Sequence, residues 1–238
     1  MKTEIYIATH KAYDFPKIDG YIPIHVGKAL TDLDLGIIGD NTGDNISNLN
    51  PSFCELTALY WMWKNSDADI VGLVHYRRYF ESKKNIGKVL SPNDINKNEI
   101  LNKVFLIKKE KLYVEKFRLK IPVNTAMQYK FNHISNDWKI LENVIYDLYP
   151  EYFESFLKTS KDSEISFYNM FVSHRFFLNN YSEWLFNILF ELSNRIDISK
   201  YCGYQRRVYG FVSERLLNVF VYHNRFKYSV EYFSKLDF

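Results

Sequence analysis

Apolar runs that stop abruptly on polar groups set the pattern of the first half of this chain. IYIATH (5–10) reads as a short buried strand closing on Thr9 and His10. DIVGLVHYRRYF (69–80) begins in the same way, and its near-lack of alternation suits a strand buried on both faces of a parallel or mixed sheet. YIPIHVG (21–27), weakened by Pro23, and VFLIKK (104–109) are further strand candidates. Helical spacing appears first at Leu56, Leu59, Tyr60 and Trp63, which fall at i, i+3, i+4 and i+7 behind Ser52 and Glu55 at capping-box spacing. Residues 124–160 read as helices separated by turns, broken at Pro150. SFYNMFVSHRFF (166–177) reads as a strand running into a turn. A stripe of Leu185, Ile188, Leu189, Leu192 and Ile196 follows from Trp184, and a last helix is expected over 211–222. Residues 31–50, rich in Asp, Asn and Gly, predict a long loop, and 81–103 a polar loop or short helix.

This order predicts an α/β fold with a central sheet, the sheet in the first part and a helical, aromatic part behind it. At 238 residues the chain suits one large domain or one and a half. With 47% hydrophobic and 25% charged residues it has material for a core and is not a disordered chain. A net charge of +3, spread along the chain, argues against a nucleic-acid partner. The two cysteines, Cys54 and Cys202, form no metal or redox motif and fit a reducing compartment. The N-terminus lacks the apolar run of a signal peptide, and WLFNILFEL (184–192) is interrupted by Asn187 and Glu191. A cytoplasmic protein is therefore expected, with a peripheral membrane contact left open.

Candidate chemistry gathers at strand ends, where open α/β sheets bind ligands. His75, Tyr76, Arg77 and Arg78 end a buried run, and two planar guanidinium forks there suit a phosphate group. The plain alternative is a pair of surface ion pairs. Asp40, Asp44, Asn45 and Ser47 could hold sugar hydroxyls or simply shape turns. Asp67-Ala68-Asp69 has the D-x-D form of a metal site but precedes its strand instead of following one, and no zinc-type spacing exists. No motif thus supports a divalent metal such as manganese or magnesium. Glu214, expected at a helix start with Ser213 as a cap, is a candidate general base or a helix-end charge. Asp137 is a weaker candidate of the same kind, and Asn169 is either an acceptor contact or a turn residue. G-x-S-x-G, P-loop and G-x-G-x-x-G motifs are all missing.

Taken together, IYIATHK (5–11), YIPIHVGKAL (21–30), GDNISNLNPSFCELTALYWMWKN (43–65), DADIVGLVHYRRYF (67–80), NMFVSHRFFLNNYSEWLFNILFELSNRIDIS (169–199) and YQRRVYGFVSERLLNVFV (204–221) resemble the DUF4422-type bacterial glycosyltransferases of capsule, exopolysaccharide and O-antigen gene clusters. CELTALYW and GLVHYRRYF carry most of the resemblance, and 81–165 depart from it. The resemblance implies a single GT-A-like domain, with residues 1–110 forming a nucleotide-sugar half and 111–238 an acceptor half. It implies a UDP-sugar donor, plausibly UDP-galactofuranose or UDP-galactose, and a growing glycan on a polyprenyl diphosphate at the inner membrane face. It implies that Arg77 and Arg78 do wholly or partly what a metal does in other transferases, that His75 bonds the diphosphate or sugar, and that Glu214 is the base. Thr9, His10, Asp44 and Tyr76 become expected donor contacts, and Asn169 and Asp137 acceptor contacts. The basic, aromatic end 221–238 raises membrane contact as a further expectation, against simple packing. The rival expectation is a non-catalytic glycan-binding or assembly partner.

Overall fold

The computed structural model describes residues 1–116 and 118–238. In chain order the strands are β1 (Thr3–Thr9), β2 (Tyr21–His25), β3 (Ile38–Gly39), β4 (Ile70–His75), β5 (Arg78–Phe80), β6 (Lys103–Ile107), β7 (Glu110–Lys111), β8 (Tyr113–Lys116), β9 (Leu119–Pro122), β10 (Glu164–Ile165), β11 (Phe171–His174), β12 (Ser229–Phe233) and β13 (Lys235–Asp237). The α-helices are α1 (Asn50–Phe53), α2 (Leu56–Asn65), α3 (Thr125–Asn132), α4 (Ser135–Leu148), α5 (Pro150–Ser160), α6 (Arg175–Arg195) and α7 (Val208–His223).

The main sheet runs β12-β6-β11-β4-β1-β2-β3. Along that path only β11 is reversed: it pairs antiparallel with both β4 and β6, while the other adjacent pairs are parallel. Strands alternate their side chains between two buried faces. Tyr6, Ala8, Val71, Leu73, Val104 and Leu106 join the core under the helices. Ile5, Ile7, Ile70, Val74, Phe105 and Ile107 join a second core on the opposite face. That is why these runs are continuously apolar. The second face is covered in part by a segment that reads as polar: Leu90, Ile95 and Ile100 turn inward from the region expected to be loop, beside Tyr79 and Phe80 of β5. β3 reaches only Ile24 and His25 of β2, so Pro23 has a strand neighbour on one side alone.

Two expectations change. DIVGLVHYRRYF is two strands: the chain reverses at Tyr76-Arg77, His75 pairs with Arg78, and β13 then pairs with β5. The long loop 31–50 carries β3 and a short 3-10 turn, and its polar residues serve the backbone. The buried Asp40 carboxylate accepts the Gly27 and Lys28 N–H groups at 2.8 and 3.1 Å and the Ser47 hydroxyl. The C-terminal stretch packs, as the simpler expectation has it, by supplying β12 and β13. The sheet therefore draws strands from both halves of the chain. Gly72 lies at its centre, where a Cβ would come within 2.9 Å of Val172 Cγ2 and 3.0 Å of the Phe171 carbonyl.

Candidate active site at the carboxyl edge of the sheet

Because β11 is reversed, the residues before it meet the residues after β4. The carboxyl edge of the sheet thus brings His10, His75 and the Tyr76-Arg77 turn against Tyr168 and Asn169. Both of these last residues have positive φ, 76° and 53°, and form a left-handed knuckle. The knuckle holds the edge together. The Tyr168 carbonyl lies 2.6 Å from His75 Nε2, the Tyr168 N–H donates to Glu214 Oε1 at 3.0 Å, and Asn169 Nδ2 donates to Glu55 Oε1 at 2.7 Å. A carbonyl only accepts, so Nε2 of His75 carries the proton. In the neutral ring Nδ1 is then an acceptor, suited to a sugar hydroxyl more than to a phosphate oxygen.

Two clefts open above this edge. One, of about 430 Å³, is lined by Ala8, His10, Val26, Tyr76 and Arg77. The other, of about 590 Å³, is lined by Glu110, Gln128, His133, Tyr204, Phe211 and Glu214 among others. Cys54, Glu55, His75, Arg78 and Arg207 line both and form their common wall. The smaller cleft is cationic. Arg77 and Arg78 reach it from the hairpin, with their guanidiniums over the Tyr76 and Tyr168 rings, and Arg207 comes from the chain before α7. Arg207 Nε donates to Cys54 Sγ at 3.1 Å. Burial, then Lys11, Arg207 and Arg77, lower the pKa of His10, so its ring is neutral at neutral pH. Asp237 lies 3.7 Å from Arg78 and only partly offsets this charge.

The larger cleft is aromatic and mixes carboxylates with guanidiniums: Glu55, Glu110 and Glu214 line it together with Arg78, Arg207 and Arg215. His133 stacks on Phe211 at 4.1 Å, and burial lowers its pKa to about 4, so it too is neutral. Glu214 lies in the second turn of α7, with both carboxylate oxygens engaged: Oε1 by Tyr168 N–H and Oε2 by Arg215 at 2.7 Å. Burial raises its pKa and Arg215 opposes the rise. Arg215 is itself buried, donating also to the Phe211 carbonyl and to Gln128 Oε1. α7 can approach this closely because residue 210 is glycine; a Cβ there would lie 3.1 Å from Cys54 Sγ.

The expected site residues divide cleanly. His10, His75, Tyr76, Arg77, Arg78 and Glu214 come together at the clefts. Asn169 lies beneath them as a buried support. Thr9 is buried in a turn, its hydroxyl donating to the Lys11 carbonyl at 2.7 Å. Asp44 lines neither cleft and accepts from Tyr60 at 3.2 Å, while its N–H is held by Asn65. Asp137 is buried within the helical part, where the Tyr201 hydroxyl donates to it at 2.5 Å. Ser213 does not cap a helix start; its hydroxyl donates to the Gly210 carbonyl inside α7. Nor do Ser52 and Glu55 form a capping box: Ser52 bonds the Leu49 carbonyl, and Glu55 points to the clefts. Glu55, Glu110, Gln128, Arg207 and Arg215 are site residues that the pattern of the sequence does not single out. Arg207 has one available signal, since Arg206-Arg207 repeats the pairing of Arg77-Arg78.

The residues present do not fit a resident metal. Among the described residues no three His, Cys, Asp or Glu side chains converge. Asp67 and Asp69 sit at the other edge of the sheet, bonded to Lys2. Of the cleft carboxylates, Glu214 has both oxygens engaged, by the Tyr168 N–H and Arg215, and Glu55 and Glu110 each hold one partner, Asn169 and the Tyr168 hydroxyl.

The family model described as "Domain of unknown function (DUF4422)" matches residues 4–225. Among solved structures, the WbbM bifunctional glycosyltransferase in its apo form superposes with a TM-score of 0.84 at 28% identity. The match covers 100% of this chain and 45% of that one, so the chain spans under half the length of the solved protein. The fold is thus the α/β fold with a central sheet that the strand pattern implies, and its close match to a solved glycosyltransferase agrees with the GT-A-like architecture that the resemblance implies. No curated protein matches the chain.

Proposed function

The chain belongs to the DUF4422 family, and from that premise we propose that it is a glycosyltransferase of bacterial surface polysaccharide synthesis. It moves galactofuranose or galactose from a UDP-sugar to a lipid-linked glycan. The observation that carries this reading is the shared wall: a cleft of three guanidiniums and a cleft holding a desolvated carboxylate meet along Glu55, His75 and Arg78. Sugar transfer needs that polarity, with fixed positive charge at the leaving diphosphate and a proton acceptor at the incoming hydroxyl.

In the proposed reaction the nucleotide occupies the smaller cleft beside His10 and Tyr76. Arg77, Arg78 and Arg207 take up its diphosphate by charge-assisted hydrogen bonds. The acceptor glycan lies on the aromatic surface of the larger cleft. Glu214 removes the acceptor hydroxyl proton, the freed oxygen bonds the anomeric carbon, and the bond from that carbon to the diphosphate oxygen breaks with its electrons. The reaction inverts the anomeric centre. Charge on the departing diphosphate is met by arginines, and no step needs a metal. On this reading the protein works in the cytoplasm at the inner face of the membrane, close to a polyprenyl-linked acceptor. Among the described residues no helix is long and apolar enough to cross a membrane.

The test is a panel of UDP, GDP, CMP, dTDP and the UDP-sugars, read by thermal shift and by release of nucleotide, with manganese or with EDTA. Ligand that binds the native state raises the melting temperature. UDP is expected to stabilise the wild type in EDTA, Arg77→Ala to lose that shift while folded, and a UDP-sugar to be turned over with a glycan acceptor. Sugar binding without turnover of any donor would instead favour a non-catalytic glycan-binding partner.

A further inference from the structure

We infer, building on the transferase reading, that Glu55 recognises the transferring sugar, its carboxylate accepting sugar hydroxyls where the two clefts join. Four observations carry this.

The first is position. Between a diphosphate in the cationic cleft and an acceptor hydroxyl at Glu214, the sugar must lie along the common wall, and Glu55 is the one carboxylate there among the described residues. The second is availability. Asn169 Nδ2 holds Oε1 at 2.7 Å, and no donor among the described residues reaches Oε2. Glu214 differs, with both oxygens engaged. The third is construction. Four described non-glycine residues have positive φ, and three of them, Cys54 at 54°, Tyr168 at 76° and Asn169 at 53°, adjoin this carboxylate. Cys54 turns the chain between α1 and α2, and Asn50 braces the turn: Asn50 Nδ2 donates to the Cys54 carbonyl, and the Cys54 N–H donates to the Asn50 carbonyl. Strained backbone of this kind persists where surrounding structure fixes it, and it concentrates at functional sites. The turn gives up a helix cap and delivers a carboxylate to the cleft. The fourth is chemistry. A carboxylate oxygen only accepts, so it selects a sugar by where its hydroxyls stand and rejects an epimer that leaves it unpaired. Asn169 is in this account a positioning residue, which orients Glu55 without touching the sugar.

The decisive variant is Glu55→Gln. It keeps the size of the side chain and an oxygen for Asn169, and loses the charge and one acceptor. The probes are UDP and the UDP-sugar that the wild type turns over in the panel, UDP-galactose or UDP-galactofuranose, with UDP-glucose as the competitor. The expected result is that UDP binds within about twofold of wild type, whereas kcat/KM for the donor falls roughly 10- to 100-fold, as for loss of a charged hydrogen bond. Discrimination against UDP-glucose narrows. Asn169→Gly, which retains the positive φ, moves both quantities in the same direction by less. Unchanged kcat/KM and discrimination in Glu55→Gln would overturn the inference. So would an equal loss of UDP and donor binding, which would assign Glu55 to the nucleotide or to folding. Loss of turnover with donor affinity and selectivity intact would make Glu55 a base and overturn it too. If the wild type turns over no sugar nucleotide, it is the transferase reading that fails, before any variant is compared.

Discussion

Glu214 is the residue whose ionisation state the surroundings most plainly control. Burial favours its neutral form, and Arg215 and the Tyr168 N–H favour its charged form; the balance is a raised pKa. A base works only when deprotonated. As pH falls, Glu214 therefore takes up its proton earlier than an ordinary carboxylate, and the acid limb of the kcat–pH profile should lie above the usual carboxylate range. Glu214→Gln should lower kcat by roughly 10²- to 10⁴-fold and remove that limb, with UDP binding unaltered. A profile flat through mild acid would assign the proton transfer to another group. His75 and Arg78 were legible from sequence because a buried strand must release its polar residues at the sheet edge. Glu55 was hidden for the opposite reason. Its spacing from Ser52 satisfies a local helix rule, and the positive φ of Cys54 that defeats the rule leaves no trace in composition. Asp44 and Asp137 were attractive as free carboxylates, but tyrosine hydroxyls distant in sequence already occupy them.

At the level of elements, burial on both faces made the strands readable, and partners far along the chain made their ends unreadable. Nothing near DIVGLVHYRRYF says that it folds back at Tyr76-Arg77, because the strand that fixes the return, β13, lies about 150 residues later. The hairpin matters to the site, since it sets two arginines at the mouth of a cleft instead of along a strand. Glu214 likewise reads as a helix-end residue until α7 is seen to begin at Val208, so that the carboxylate projects from within the helix. Gly72 tests how tightly the central strands must approach. With Val172 and the Phe171 carbonyl within 3.0 Å of any Cβ, Gly72→Ala should cost about 1–3 kcal/mol by overpacking. In a chain of this size that corresponds to a Tm lower by roughly 2–10 °C in a thermal melt. A melt equal to wild type would mean that β4 and β11 can part without cost.

Over the whole molecule, charge is sorted although the net charge is small. The arginines of the smaller cleft come from the β4–β5 hairpin and from the chain before α7, more than a hundred residues apart, so a count along the sequence sees only dispersed basic residues. Arg207 should therefore matter to nucleotide binding as much as Arg77. Arg207→Ala is expected to weaken UDP about tenfold, as for a lost charge-assisted hydrogen bond. Wild-type affinity should fall several-fold between 50 and 500 mM salt, measured by titration calorimetry, as ions screen the cleft. Insensitivity to both would remove Arg207 from the diphosphate site.

The left-handed knuckle also has a consequence in time. Its bonds join residues separated by 46, 93 and 114 positions, so the site exists only after the most distant parts of the chain have met. Contacts of such long sequence separation form late, because closing large loops costs entropy before the contacts compensate it. The helices α3 to α5, consecutive in sequence and packed on one another, have no such wait. On dilution from denaturant, far-ultraviolet circular dichroism should recover first, and capacity to bind UDP should return in a slower phase. If the two signals recovered together, the knuckle would have to belong to the folding nucleus, and its strained residues would then govern how fast the protein folds.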